Sequence, residues 1–331
     1  MSQRPKLQFA LVGAGAISQA YAQAFETCEV ASLVAVADSR AEAAGALAER
    51  LKARAFTSHE ALLSEMSGSV HAAIVSTPPS THPDIVEAFL ARRIPVLCEK
   101  PMAIDVKSAQ RMLDAADRYG TMLTMASKFR YVTDVIKAKS MVASGLIGDI
   151  VCFENAFTAK VDMGNRWNAK PELSGGGVLI DNGTHSLDIA RYVLGPLESV
   201  QVVEAKRTQG LAVDETVHVH ARSKSGVLAS IDLSWSLNKE LDTFIAIYGA
   251  LGTIKIGWRQ SSYKLASARE WTVFGTGYDK VQAFRSQIEN VVHAIRGEEA
   301  LLITAEDGLA SVAAVEAAYQ ALRTDQWVRI G

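Results

Sequence analysis

Cysteine is scarce in this chain. Cys28, Cys98 and Cys152 are spread over 331 residues, too few and too scattered for a disulfide framework or a zinc cluster. A reducing compartment, the cytoplasm, is therefore the expected location. No apolar run reaches the roughly 18 residues that cross a bilayer. Positive charge is not in excess: 34 Lys and Arg stand against 36 Asp and Glu, a formal net charge of -2. That balance argues against a dedicated binder of nucleic acid or anionic membrane. Internal repeats, low-complexity tracts and long linkers are missing too. With 49% hydrophobic and 21% charged residues, the composition is that of an ordinary globular protein. The length suits about two domains and allows a large core without metal or disulfides.

The first 126 residues alternate short β-like runs with amphipathic helical stretches. The runs are Leu7–Val12, Leu33–Ala37, Val70–Ser76, Ile94–Cys98 and Thr121–Met125. Between them lie helical patterns at Ile17–Glu26, Ala41–Ala53, Thr81–Arg92 and Val106–Tyr119. Such alternation predicts right-handed βαβ units and a parallel sheet. The remainder reads differently. A strand at Ile150–Phe157, a long polar loop and a helix from about Val178 to Val193 come first. Strand patterns then follow at Val200–Ala205, Thr216–Ala221, Leu228–Trp235, Phe244–Tyr248 and Thr253–Ile256. Their short, glycine-containing connections predict a mostly antiparallel meander. Helices near Val281–Arg296 and Ala305–Leu322 close the chain. The fold class is α/β: a parallel-sheet domain over 1–126, then an α+β domain over 127–331.

Arg4 and Lys6 before an apolar stretch from Leu7 to Ile17 resemble a secretory signal. Gly13 and Gly15 break that stretch and have a better use. Gly13-Ala14-Gly15-Ala16-Ile17-Ser18 follows the first strand and opens the first helix. Gly13 permits a tight turn, and Gly15 permits close approach of a pyrophosphate to the helix N-terminus. Ser18 replaces the third glycine but is small. Asp38 ends the second strand 20 residues after Ser18, where a carboxylate takes the ribose hydroxyls of an adenosine. It would repel a 2′-phosphate, which favours NAD over NADP, although the nearby Arg40 could pair with that phosphate. Ala16, Ile17, Ser39 and Arg40 complete the expected cofactor loop.

Thr77-Pro78 and His82 follow the strand ending near Ser76, at the carboxyl edge where α/β proteins bind ligands. The same residues also read as simple helix initiation. Cys98-Glu99-Lys100-Pro101 ends the next strand. The proline keeps Lys100 extended, from where it could donate to a substrate oxygen, or be an ordinary solvated lysine. The Lys100–Pro101 peptide is a candidate for the cis form. Gly175-Gly176-Gly177 precedes a helical stretch in which Asp181 and His185 lie four apart on one face. A carboxylate beside an imidazole suits a general base; it also suits a buried structural pair. Gly183, in the helix interior, leaves room for something large. His218 and His220 share one face of a strand without a third ligand, so no metal site is expected. Cys98 reads as core rather than nucleophile.

Taken together, the Gly13-x-Gly15 loop, Thr77-Pro78, Glu99-Lys100-Pro101 and Gly176-Gly177-x-x-x-Asp181-x-Gly183-x-His185 resemble the Gfo/Idh/MocA oxidoreductase family. Phe129-Arg130-Tyr131 and Gly145-x-x-Gly148 fit the same pattern. The resemblance implies a nicotinamide-binding Rossmann domain followed by a domain with a large, mostly antiparallel sheet. It implies hydride transfer between NAD(P) and a secondary alcohol of a sugar, sugar derivative or cyclitol. Carried over by position, Lys100 holds the reacting oxygen, Asp181 assists, His185 is the acid/base, and Glu99 lies on the cofactor side. Arg130, Asp162, Asn165, Arg166, Trp167 and Asn182 are then expected to meet the substrate, with the loop residues equally readable as an ordinary surface loop. A homodimer or homotetramer through the second sheet is expected. Two alternatives are a glycosidase that cycles bound NAD and a non-catalytic sugar or dinucleotide sensor. The sensor is disfavoured because Lys100, Asp181 and His185 are all present.

Overall fold

The structure, a computed structural model, describes residues 4–331. In chain order its elements begin β1 (Leu7–Val12), α1 (Ser18–Thr27), β2 (Ala31–Ala37), α2 (Ala41–Leu51), β3 (Arg54–Phe56) and α3 (His59–Met66). They continue with β4 (Ala72–Val75), α4 (His82–Leu90), β5 (Val96–Glu99), α5 (Val106–Tyr119) and β6 (Leu123–Ala126). Next come α6 (Thr133–Ala143), β7 (Ile150–Thr158), the short α7 (Pro171–Ser174), α8 (Val178–Leu194) and β8 (Leu197–Glu204). The strands β9 (Thr216–Ser223), β10 (Leu228–Ser234), β11 (Thr243–Gly249), β12 (Gly252–Gly257), β13 (Ser261–Leu265) and β14 (Thr272–Gly275) follow. The chain closes with α9 (Lys280–Ile295), α10 (Ala305–Thr324) and β15 (Val328–Arg329).

One compact unit runs to Lys128 and takes back Lys280–Leu309. Its six strands are ordered β3-β2-β1-β4-β5-β6, and every pairing is parallel. Strand order reverses between β1 and β4, the switch point outside which such sheets bind ligands. β4, β5 and β6 are buried at every position, as expected when helices cover both faces. α5 shows how local sequence sets a boundary. Asp105 caps it by accepting the Ser108 N–H at 2.7 Å, and Gly120 ends it at φ 59°.

The expected boundary near Ala126 places α9 with the second half, but α9 belongs to the first unit. Its Phe284, Ile288, Val291 and Val292 share a core with Phe9, Leu11 and Phe25. Tyr21 meets Phe284 edge-on at 4.7 Å. The apolar face of α9 has nowhere to be read from local sequence, because what covers it lies some 260 residues earlier.

The other unit comprises Phe129–Asp279 and Ala310–Gly331. Nine strands are ordered β14-β13-β12-β11-β7-β10-β9-β8-β15. All pairings are antiparallel except β7 with β10. The predicted meander is thus interrupted, since β7 enters the middle of the sheet before its neighbours are made. α8 packs against β7, β9 and β10, over Val217, Val219, Ala221, Ala229, Ile231 and Leu233, all buried.

Candidate active site

In the first unit, a methyl group on Gly13 would stand 2.7 Å from the Ser76 carbonyl oxygen, and its φ is +100°. Gly15 has nothing within 4 Å of the same position. The first glycine is therefore required by the fold, whereas the second keeps a space open. Ser18 is buried and donates to the Gly13 carbonyl at 2.7 Å, with the Ser76 hydroxyl 3.1 Å away. It occupies the third glycine's position by bonding back to the loop.

Asp38 accepts the Ala14 N–H at 2.7 Å, the Arg40 N–H at 2.9 Å and the Arg40 guanidinium at 3.2 and 3.3 Å. Burial alone would raise its carboxyl pKa. The Arg40 and Ala14 bonds outweigh burial and hold it below the ordinary carboxylate value. α1 opens with no acidic residue in its first turn and no side-chain cap. An ionised Asp38, an open Gly15 and that helix N-terminus together fit the adenosine and pyrophosphate of a dinucleotide.

Thr77 and Pro78 follow β4 and lead through a turn into α4, with Thr81 donating to the Thr77 hydroxyl at 2.7 Å. His82, expected at the cofactor, is fully buried. Its Nε2 lies 2.9 Å from the Thr77 carbonyl, and its Nδ1 lies 3.1 and 3.2 Å from the Pro101 and Met102 carbonyls. It ties the Thr77 turn to the loop after β5, and burial pushes its pKa down. The Lys100–Pro101 peptide is cis. Glu99 is buried and accepts the Tyr21 hydroxyl at 2.8 Å and the Lys100 N–H at 3.1 Å. Burial raises its pKa, against the pull of the Lys100 charge and the Tyr21 bond. Gln287 of α9 donates to Tyr21 at 3.2 Å. Lys100 is half-buried, and Cys98 is fully buried.

In the second unit, Asp181 and His185 lie one turn apart on α8. Asp181 is half-buried and His185 is 6% exposed. The His185 ring meets Phe129 edge-on at 5.0 Å and Phe157 at 6.4 Å. Phe129 stacks on Phe157 at 4.7 Å and on Tyr278 at 5.3 Å. Trp258, 38% exposed, continues this cluster at 4.5 Å from Phe244 and 5.7 Å from Tyr278. A methyl added at Gly183 would lie 3.2 Å from Cδ1 of Leu233 on β10 and equally far from Cδ1 of Leu179, one turn earlier on α8. The glycine serves helix–sheet packing. Asn182 donates to the Phe157 carbonyl at 3.4 Å.

The loop residues Asp162, Asn165, Arg166 and Trp167 are exposed together. Arg130, expected at the substrate, is buried, and its guanidinium donates to both Asp188 oxygens at 2.9 and 2.6 Å. That pair fixes the far half of α8. His218 lies on the exposed face of β9 with Nδ1 2.7 Å from Asp232. Among the described residues no group of three or more His, Cys, Asp or Glu is placed to hold a metal ion.

A family described as the oxidoreductase family with an NAD-binding Rossmann fold matches residues 7–127, and the GFO/IDH/MocA C-terminal domain matches residues 135–255. The chain belongs to the Gfo/Idh/MocA oxidoreductase family. Among similar proteins is the inositol 2-dehydrogenase of Rhizobium meliloti (strain 1021), 26% identical over 98% of this chain and 99% of that one. The rhizopine catabolism protein MocA of Rhizobium meliloti is also 26% identical, over 97% of this chain and 96% of its own length. A levoglucosan dehydrogenase solved in complex with NADH has the same fold, with a TM-score of 0.90 and 19% identity over 99% of this chain and 100% of that chain.

For this Gfo/Idh/MocA oxidoreductase, sequence reasoning missed Trp258, Phe244 and Tyr278 beside the helix. Each sits on a separate strand or connector, and no local pattern links them. The Asp214 carboxylate, which caps α8 by accepting the Gly177 and Leu179 N–H groups, was missed for the same reason.

Proposed function

We propose that this oxidoreductase is an NAD-preferring dehydrogenase acting on a secondary alcohol of a sugar, sugar derivative or cyclitol. The reading is supported most by one observation: a buried histidine stands against an aromatic wall, one helical turn after a carboxylate. Gly13, Gly15, Ala16, Ile17, Asp38, Ser39 and Arg40 hold the dinucleotide, with Thr77, Pro78, Glu99 and Lys100 on the nicotinamide side. When bound, NAD supplies the hydride acceptor. His185 takes the hydroxyl proton of the alcohol at an imidazole nitrogen. Asp181 stabilises the imidazolium that results. Lys100 donates a hydrogen bond to the same substrate oxygen as charge builds on it. Asp162, Asn165, Arg166, Trp167 and Asn182 meet the remaining hydroxyls and the ring.

The alternatives, a redox-cycling glycosidase and a non-catalytic sensor, find no support among the relatives. The protein works in the cytoplasm and assembles through the exposed face of the second sheet. A fluorescence screen of sugars, inositols and uronates against NAD and NADP tests the reading, and reduction of neither cofactor by any of them would sink it. His185→Ala should lose about 10²–10⁴ in kcat while still binding NAD. Near-normal kcat in that variant, with the basic limb of the pH profile lost in Lys100→Met, would exchange the two roles.

A further inference from the structure

α8 starts without a side chain able to cap it, because its cap residue is Gly177. The first N–H groups of a helix need acceptors from elsewhere. One distant residue supplies three in succession. The Asp214 carboxylate accepts the Gly177 N–H at 3.0 Å on Oδ1 and the Leu179 N–H at 2.7 Å on Oδ2. Its main-chain carbonyl accepts the Val178 N–H at 2.9 Å. The Tyr319 hydroxyl donates to Asp214 Oδ1 at 2.9 Å and accepts the Gly177 N–H at 3.0 Å. The glycine run now has a cause. A methyl on Gly176 would lie 2.0 Å from the Tyr319 hydroxyl, and one on Gly177 would lie 2.0 Å from the Asp214 carbonyl oxygen.

The next residue does the same work for the polar loop. Glu215 is fully buried and accepts the Thr208 N–H at 2.7 Å, the Gln209 N–H at 2.9 Å and the Ser236 hydroxyl at 2.9 Å. Gln209, so held, turns its side-chain amide to the loop. Its Nε2 donates to the Val161 carbonyl at 3.0 Å, and its Oε1 accepts the Met163 N–H at 3.1 Å. A primary amide offers one donor and one acceptor on the same edge, so this single side chain grips the backbone on both sides of Asp162.

We propose that Asp214 and Glu215 are paired positioning residues: Asp214, with Tyr319, sets the helix that presents Asp181 and His185, and Glu215, through Gln209, sets the loop that presents Asp162. The inference rests on the function proposed above. A helix turns 100° per residue, so a cap that fixes three consecutive amides fixes which way Asp181 and His185 point. The loop grip has no bearing on that orientation. The two halves therefore separate kinetically: helix position governs the chemical step, and loop position governs how tightly the sugar is held.

The test uses two mild variants of the full chain. Tyr319→Phe keeps the ring and loses one hydroxyl. It should lower kcat about tenfold with KM for the sugar within twofold. Gln209→Ala should raise that KM about tenfold with kcat within twofold. Amide hydrogen exchange supplies a readout independent of turnover. Tyr319→Phe should speed exchange at residues 177–181 but not at 161–164, and Gln209→Ala the reverse. Both variants changing kcat and KM alike, or either leaving both constants and its own segment's exchange unaltered, overturns the proposal. If the wild-type protein turns over no sugar or cyclitol, the functional reading fails, and the exchange pattern alone still decides whether the two clamps exist.

Discussion

Gly13 and Gly15 are two residues apart and obey different constraints. Gly13 has a positive φ and a main-chain oxygen where a methyl would go, so Gly13→Ala should cost at least about 2 kcal/mol. Gly15 faces open space, so Gly15→Ala should leave the urea midpoint almost unmoved and weaken NADH binding instead. Equilibrium unfolding and a fluorescence titration on both variants separate the two effects; a destabilised Gly15→Ala would refute the distinction. Asp38 should make NADH bind more tightly than NADPH at one ionic strength, and the opposite order would reassign the cofactor. His82 gives a pH signature. Burial lowers its pKa in the folded protein, while the unfolded chain takes the proton near 6.5. Its contribution is therefore whole above about pH 6.5 and is lost as pH falls below that, by up to about 1.4 kcal/mol per pH unit. His82→Gln should lose less stability than wild type between pH 7.5 and 5.5 in urea unfolding. An equal loss would assign the acid sensitivity to other groups.

Helices and strands with a strong repeat were legible directly. β1 and α5 have the bounds that the sequence pattern predicts, Leu7–Val12 and Val106–Tyr119. The elements that were not anticipated are β3, α3, α6, α7, β13, β14 and β15, among which β3 has only three residues. A three-residue strand has no period, and its existence depends on the neighbour it pairs with. α8 is the instructive element. Its Asp181 and His185 were legible as one face, whereas its start is set by Asp214, 37 residues beyond Gly177. Gly177→Ala drives a methyl into the Asp214 carbonyl oxygen, so it should cost more than about 2 kcal/mol. A variant with an unchanged thermal midpoint would show that the helix start can shift to accommodate it.

At the scale of the molecule, two compact units with a returning segment replace a simple division of the chain in two. The exposed face of the second sheet carries a row in which Val203 pairs with His218 and His218 with Asp232. Val203 and Leu228 on that face are 48% and 36% exposed. Apolar residues among mixed polar ones suit a partner surface better than a solvated one. The protein should therefore sediment as a dimer or tetramer at micromolar concentration. Val203→Glu combined with Leu228→Glu should produce a smaller, still folded species. A wild-type monomer would count against assembly through this face.

The sequence by itself determined the alternation of strands and helices, the glycine loop with its acidic partner, and the Asp181–His185 pair. Each of these is a matter of residues within about 25 positions, where spacing alone places side chains on a common face or turn. Tertiary structure alone decided that α9 returns to the first unit, that His82 and Arg130 are held inside, that β7 runs parallel to β10, and that Asp214 and Glu215 grip a helix and a loop. Those outcomes depend on which buried donor meets which acceptor across long stretches of chain, and such partners leave no periodic trace in the sequence.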